Sequence, residues 1–289
     1  MIYKNITGTT KTFGLLGNPV KHSYSPIIHN TITNILSQDN FNSVYVPFDV
    51  TSQNLKNAIK GAHALGVAGF NVTVPHKLNV MQYLSDLHES AVKIGAVNTL
   101  KYTECGYVGY NTDIIGLTET FKQHGIALRD KTVLIFGAGG GAAAALYAVL
   151  QDQPSHIYIV NRTMQNAQSM ANNKCVSILP YDQYEHLLAQ QHIDLAIQAT
   201  SVGLSSEDSI VKNKAFFERV AVALDIIYNP WETTFLKDAK TYGSTCINGF
   251  DMLLLQAIAS YEIFHDIKLD HDLKRTIVRS LKDHFVAYA

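Results

Sequence analysis

Residues 132–150 constrain the fold more than any other part of this chain. Thr132-Val133-Leu134-Ile135-Phe136 carries no charge, as expected of a strand buried on both faces. It runs straight into Gly137-Ala138-Gly139-Gly140-Gly141-Ala142, and a helix of small residues is expected over 141–150. Strand, glycine-rich turn and helix in that order match the G-x-G-x-x-G/A pattern of dinucleotide binding. Gly137 suits the tight turn, Gly139 lets a pyrophosphate approach the backbone, and Ala142 lets the helix pack closely on the strand. The helix start offers N–H groups and the positive end of its dipole to phosphate.

The remainder of the chain extends this pattern. A length of 289 residues suggests about two domains, and 47% hydrophobic with 16% charged residues is a globular composition. Apolar runs predict strands over 12–17, 44–48, 67–74, 96–100, 132–136, 157–160, 195–198 and 220–226. Between them, apolar residues three and four apart predict helices over 26–36, 53–65, 80–84, 141–150, 164–172 and 234–242, with another entered near 112–116 and running to about 124. Two further helices, over 249–264 and 273–285, have no strand to follow. The expected fold is α/β with two α/β domains. Residues 1–112 form an N-terminal domain with a mainly parallel sheet, and 113–248 a Rossmann-type domain. The helices of 249–289 return to the first domain.

Charge and composition narrow the function. Basic residues number 23 and acidic residues 24, so the net charge of −1 gives no general attraction to nucleic acid or membrane surfaces. No stretch approaches the roughly 18 apolar residues of a membrane helix, and the first residues lack the apolar core of a secretory signal. Cys105, Cys175 and Cys246 are far apart, which suits reduced thiols in the cytoplasm. The 12 histidines show no metal-ligand spacing, and no metal is expected.

The end of the second strand of this unit bears on the cofactor. An NAD-binding chain carries an acid there, about 20 residues past the first glycine, to accept from the ribose hydroxyl. This chain has Asn161-Arg162-Thr163. A guanidinium grips a 2′-phosphate that a carboxylate would repel, so NADP is expected.

Polar clusters mark the strand ends of the first domain. In Gly17-Asn18-Pro19-Val20-Lys21-His22-Ser23-Tyr24-Ser25-Pro26, two serines stand two apart, so an extended loop points both hydroxyls the same way. Such hydroxyls suit a carboxylate or a polyol. They also suit capping, with Ser25 as N-cap and Pro26 as first helical residue. In Asn71-Val72-Thr73-Val74-Pro75-His76-Lys77, Thr73 closes a strand and Pro75 stops it, leaving Lys77 at the sheet mouth. Gly95-Ala96-Val97-Asn98-Thr99 ends another strand with an amide, and Asn111-Thr112-Asp113 precedes a helix that Thr112 or Asp113 can cap.

Taken in order, these segments resemble the shikimate dehydrogenase family. The resemblance adds Ala199-Thr200-Ser201-x-Gly203, Tyr228-x-Pro230-x-x-Thr233 and Gly249-x-x-Met252-Leu253-x-x-Gln256-Ala257, and covers nearly the whole chain. It implies NADP-dependent, reversible reduction of 3-dehydroshikimate to shikimate in aromatic amino acid biosynthesis, by a monomer or homodimer acting on a small molecule. It implies that Lys77 and Asp113 are the catalytic pair, and that Ser23 and Ser25 hold the substrate carboxylate with Tyr228 near it. Thr73, Asn98, Asp113 and Gln256 are implied to hold ring hydroxyls. Gly137, Ala138, Gly139, Gly140, Gly141, Asn161, Arg162 and Thr163 are implied at the phosphates and adenosine, and Ile226 and Gly249 at the nicotinamide. Two departures stand out. Gln165 and Asn166 occupy the stretch where the family often has a second basic residue, and Gln198 replaces an asparagine before Ala199. The nearest alternative is a quinate/shikimate dehydrogenase of broader substrate or cofactor use. A non-catalytic dinucleotide sensor would need neither Lys77 nor Asp113.

Overall fold

The computed structural model describes residues 6–36, 41–168 and 170–286. The reading of the N-terminus and the helix expected over 164–172 touch residues 1–5 and 169, which lie outside the described residues. The chain divides into two units: Met1–Thr112 with Gln256–Ala289, and Asp113–Leu255.

The first unit runs β1 (Lys11–Gly17), α1 (Ser25–Ile35), β2 (Ser43–Asp49), α2 (Leu55–Ala64), β3 (Gly69–Val72), β4 (Asp86–Leu87), α3 (Glu89–Ile94), β5 (Thr99–Thr103) and β6 (Gly106–Tyr110). Its strands form one six-stranded sheet in the order β2-β1-β3-β5-β6-β4. The pairs β1–β2, β1–β3 and β4–β6 are parallel, while β3–β5 and β5–β6 are antiparallel. The sequence reading lacked the β5–β6 hairpin and placed β5 three residues early. The 80–84 segment is a 3-10 turn, Asn79–Tyr83, that buries Val80 alone. Side chains alternate faces along β1. Leu16 enters one apolar cluster with Leu55, Ile59 and Phe70, while Phe13 and Leu15 enter another with Tyr45 and Phe264.

The second unit runs α4 (Asp113–Gln123), β7 (Thr132–Phe136), α5 (Gly140–Leu150), β8 (His156–Asn161), α6 (Met164–Gln168), β9 (Val176–Pro180), α7 (Tyr184–Leu187), β10 (Ile193–Gln198), β11 (Val220–Asp225), α8 (Thr234–Thr241) and β12 (Thr245–Ile247). The order is β12-β11-β10-β7-β8-β9 and every pairing is parallel. From β9 across this is the 3-2-1-4-5-6 order of the doubly wound dinucleotide fold. All five residues of β7 are buried, which is why the strand reads as an uninterrupted apolar run.

Helix α9 (Phe250–His265) contains the boundary between Leu255 and Gln256, and α10 (His271–Val286) follows it in the first unit. Ile277, Leu281 and Phe285, four apart, are the buried stripe of α10. Each contributes about 1.5–3 kcal/mol by burial. The ring of Phe285 lies 4.5 Å from that of Tyr24, beside α1.

Candidate active site

The parallel sheet of the second unit puts the ends of β7, β8, β10 and β11 on one edge. The winding reverses between β7 and β10, where open α/β sheets bind ligands. Gly137 follows β7 with φ of 111°, a backbone state that disfavours side chains, and a Cβ there would lie 3.0 Å from the Ala199 carbonyl. Gly139 occupies the N-cap of α5 without a side-chain cap, and the space where its Cβ would stand is open. The first N–H groups of α5 therefore face a place that a phosphate can enter.

Ile226 is clasped in this corner. Its backbone N–H donates to Gln198 O at 3.0 Å, and Gly249 N–H donates to Ile227 O at 3.0 Å. A Cβ on Gly249 would stand 2.2 Å from Ile226 O, and one on Gly141 would stand 2.7 Å from the Ile226 side chain. Gly141, Ile226 and Gly249, predicted from distant segments, thus come together. Gln198, the departure from the family pattern, folds the next loop. Its Oε1 accepts from Thr200 N–H at 2.6 Å and Thr200 Oγ1 at 2.7 Å, and its Nε2 donates to Val202 O at 2.8 Å. At the end of β8, Asn161 Nδ2 donates to Thr163 O at 2.8 Å and Arg162 is exposed. No carboxylate stands in this 161–163 turn. Uncapped helix start, open glycine and exposed guanidinium all fit NADP.

In the first unit, Ser23 and Ser25 do turn the same way, with their hydroxyls 3.2 Å apart. Ser25 is not the helix cap, however. Tyr24 already has helical geometry, Ile28 N–H donates to Tyr24 O at 3.0 Å, and Ser25 becomes the first helical residue. Ser23 Oγ instead accepts from Ser25 N–H at 3.2 Å. The buried Tyr45 hydroxyl interacts with Ser25 and donates to Asn71 Oδ1 at 2.9 Å. Burial holds the Tyr45 phenol well above its ordinary pKa of 10.0, so it keeps its proton.

Asn98 and Gln256 also meet. Asn98 Nδ2 lies 2.9 Å from Thr112 Oγ1 and 3.5 Å from Gln256 Oε1, and Thr112 N–H donates to Asn98 Oδ1 at 2.9 Å. Thr73 follows β3 and donates its N–H to Leu16 O at 2.9 Å. Lys77 lies past the same strand end, half-buried, and its carbonyl accepts from Val97 N–H at 2.8 Å, one residue before Asn98. The remaining predicted residues belong to the second unit: Asp113 is buried at the start of α4, and Tyr228 is half-buried in the loop after β11. Trp231, three residues on, is exposed beside the Phe250 ring at 5.3 Å.

A family described as the shikimate dehydrogenase substrate binding domain matches residues 15–100, and one described as shikimate / quinate 5-dehydrogenase matches 119–226. A shikimate dehydrogenase (NADP(+)) of Methanococcus maripaludis is 39% identical over 277 residues, covering 94% of this chain and 97% of that protein. The chain belongs to the shikimate dehydrogenase family. A second member, from Caldanaerobacter subterraneus subsp. tengcongensis, is 41% identical over 278 residues, 92% of this chain and 96% of its own. A crystal structure of a shikimate dehydrogenase in complex with NADP+ superposes with a TM-score of 0.82 at 37% identity, covering 95% of this chain and 96% of that one.

Within this shikimate dehydrogenase fold, sequence reasoning missed Tyr45, Ser260 and Asp225. The signal for Asp225 was available, since it is the one acid in the apolar run 220–226. Asp225 is buried at the end of β11, accepting from Ile227 N–H at 2.9 Å and Thr233 Oγ1 at 2.6 Å. Burial raises its pKa from 3.8 to about 7 despite these donors. Between those pH values the unfolded chain releases the proton and the folded chain keeps it. The contribution of Asp225 to stability therefore falls as pH rises from 3.8 to about 7 and is level above, a change of about 4 kcal/mol in all. Asp225→Asn should remove that contribution, so the variant should gain stability relative to wild type as pH rises. Melting temperatures of both proteins at pH 4.5 and 7.5 check it, and an identical pH dependence in the variant would remove Asp225 as the source.

Proposed function

We propose that this chain is an NADP-dependent shikimate dehydrogenase, reversibly reducing 3-dehydroshikimate to shikimate for aromatic amino acid biosynthesis in the cytoplasm. The meeting of Asn98, Thr112 and Gln256, with atoms 2.9–3.5 Å apart, carries this reading. Uncharged amides and hydroxyls in a buried cluster suit ring hydroxyls, and the Ser23–Ser25 pair suits a carboxylate. Identities of 39% and 41% over nearly the whole chain with relatives named as NADP(+) enzymes support the cofactor.

In this reading Ser23 and Ser25 donate to the substrate carboxylate, with Tyr228 assigned beside it. Thr73, Asn98, Asp113 and Gln256 bind ring hydroxyls. Gly137 to Gly141 and Asn161 to Thr163 hold the phosphates and adenosine, while Ile226 and Gly249 border the nicotinamide. NADPH, when bound, supplies the hydride. Lys77 Nζ gives its proton to the ketone oxygen as charge develops there, and takes it back in the reverse direction. Asp113 orients the reacting hydroxyl.

Absorbance at the nicotinamide band, with shikimate or quinate and NADP or NAD, tests the proposal. Turnover should be at least about tenfold more efficient with shikimate and NADP than with any other pairing. Arg162→Ala should lower kcat/KM for NADP by roughly 10- to 100-fold and leave NAD almost untouched. Equal use of quinate would favour the broader-substrate reading, and equal use of NAD would refute the role given to Arg162.

A further inference from the structure

Ser260 is polar, fully buried and one helical turn beyond Gln256 on α9, and nothing in the proposed chemistry uses it. Its hydroxyl is nevertheless the hub of the polar cluster. Oγ lies 2.9 Å from Asn71 Nδ2, 2.8 Å from Thr99 Oγ1, 3.0 Å from Thr112 Oγ1 and 3.0 Å from its own helix's Gln256 O. Four segments, β3, β5, the turn before α4, and α9, therefore share this one oxygen.

Donors and acceptors leave little choice of arrangement. Asn98 Oδ1 accepts from Thr112 N–H at 2.9 Å and from Thr99 Oγ1 at 2.8 Å. That directs Asn98 Nδ2 to Thr112 Oγ1 and Gln256 Oε1. Thr112 Oγ1 in turn reaches Gln256 Oε1 at 3.3 Å. Asn71 Nδ2, already committed to Asn98 O and Thr99 Oγ1 at 3.2 Å each, makes its shortest contact to Ser260. Ser260, Thr99 and Thr112 have no solvent exposure, so water cannot stand in for a lost partner.

We infer that Ser260 is a positioning residue for ring-hydroxyl recognition: its hydroxyl, acting through Thr112, sets the orientation of the Gln256 and Asn98 amides that the substrate meets. It touches neither substrate nor cofactor. The inference rests on the functional reading given above, in which those two amides bind ring hydroxyls. The consequence is selective. Loss of the hydroxyl loosens two hydrogen-bonding groups aimed at the polyol, and leaves the glycine turn and Lys77 unchanged.

The test is a double-mutant cycle in steady-state shikimate oxidation, with wild type, Ser260→Ala, Gln256→Ala and the double variant. Ser260→Ala should raise KM for shikimate roughly 5- to 20-fold, with a smaller change in kcat and none in KM for NADP. In the Gln256→Ala background the same substitution should lose most of its effect. Ser260→Cys keeps the shape but hydrogen-bonds weakly, and should shift KM the same way even if the alanine variant does not fold. A lowered melting temperature with unchanged shikimate KM makes Ser260 purely structural and overturns the proposal. So does a full-sized effect that persists when Gln256 and Asn98 are both replaced by alanine. Absence of shikimate turnover by the wild type overturns the functional reading and this proposal together, whereas turnover with an indifferent Ser260 overturns this proposal alone.

Discussion

Replacement of Lys77 by alanine is expected to lower kcat roughly 10²- to 10⁴-fold with little change in KM for shikimate. The size follows from the task. A ketone accepting hydride needs a proton on oxygen, and a positioned ammonium supplies it while stabilising the developing charge. The Lys77 carbonyl, which accepts from Val97 N–H at 2.8 Å, survives truncation of the side chain. Lys77→Arg should not restore the rate, since a guanidinium is never deprotonated in the working range and its donors form a planar fork. Steady-state kinetics beside thermal melts decide the matter. A strong rise in KM with kcat intact makes Lys77 a binding group and ends its assignment as proton donor.

Acid should unfold the first unit through His29, the second large effect. This imidazole is fully buried on α1, stacked on Tyr45 with ring centres 4.2 Å apart and interplanar angle 3°. Tyr261, Phe264 and His265 face it from α9. Burial, with His265 nearby, pushes its pKa from 6.5 down to about 3, and Asn71 only partly opposes this. Below pH 6.5 the unfolded chain binds a proton that the folded chain refuses. The contribution of His29 is therefore complete above pH 6.5 and is lost as pH falls towards 3, by about 5 kcal/mol over the whole span. His29→Phe retains an aromatic ring on Tyr45 and should remove most of the acid limb. Chemical denaturation at pH 4 and pH 7 measures it, and equal acid sensitivity in the two proteins would falsify the role of His29. The sign is opposite to that of Asp225, so the two contributions oppose each other where their windows overlap, between pH 3.8 and 6.5, and each is read as the difference between wild type and its own variant.

The sequence was most readable where one physical demand dominated. β7 is buried on both faces and reads as an apolar run, and the glycine turn after it answers to backbone geometry and close approach. The strands that escaped notice are β9 and β12 at the edges of their sheet, and β6 with the two-residue β4 at the edge of the other. Half-exposed edge strands mix polar and apolar residues over few positions, and their period of two does not rise above the noise. In the candidate site, Ser23 and Ser25 were legible as a pair because two-residue spacing acts locally. Whether Ser25 capped α1 was not, because that turns on the backbone angles of Tyr24. Ser260 was invisible for a different reason. One hydroxyl in an apolar helix gains meaning only from Asn71, Thr99 and Thr112, which lie 148–189 positions away in sequence.

The loop that carries Tyr228 also holds Trp231, the only tryptophan of the 289 residues. Its carbonyl accepts from Asn248 Nδ2 at 3.2 Å, and its ring lies by Phe250, so the residues on either side of Gly249, in the Ile226–Gly249 clasp, both touch it. Excited where the 15 tyrosines are dark, the chain emits from this corner alone. Every change in that light, in colour or in quenching, therefore reports on a single surroundings, with no averaging over scattered fluorophores to undo.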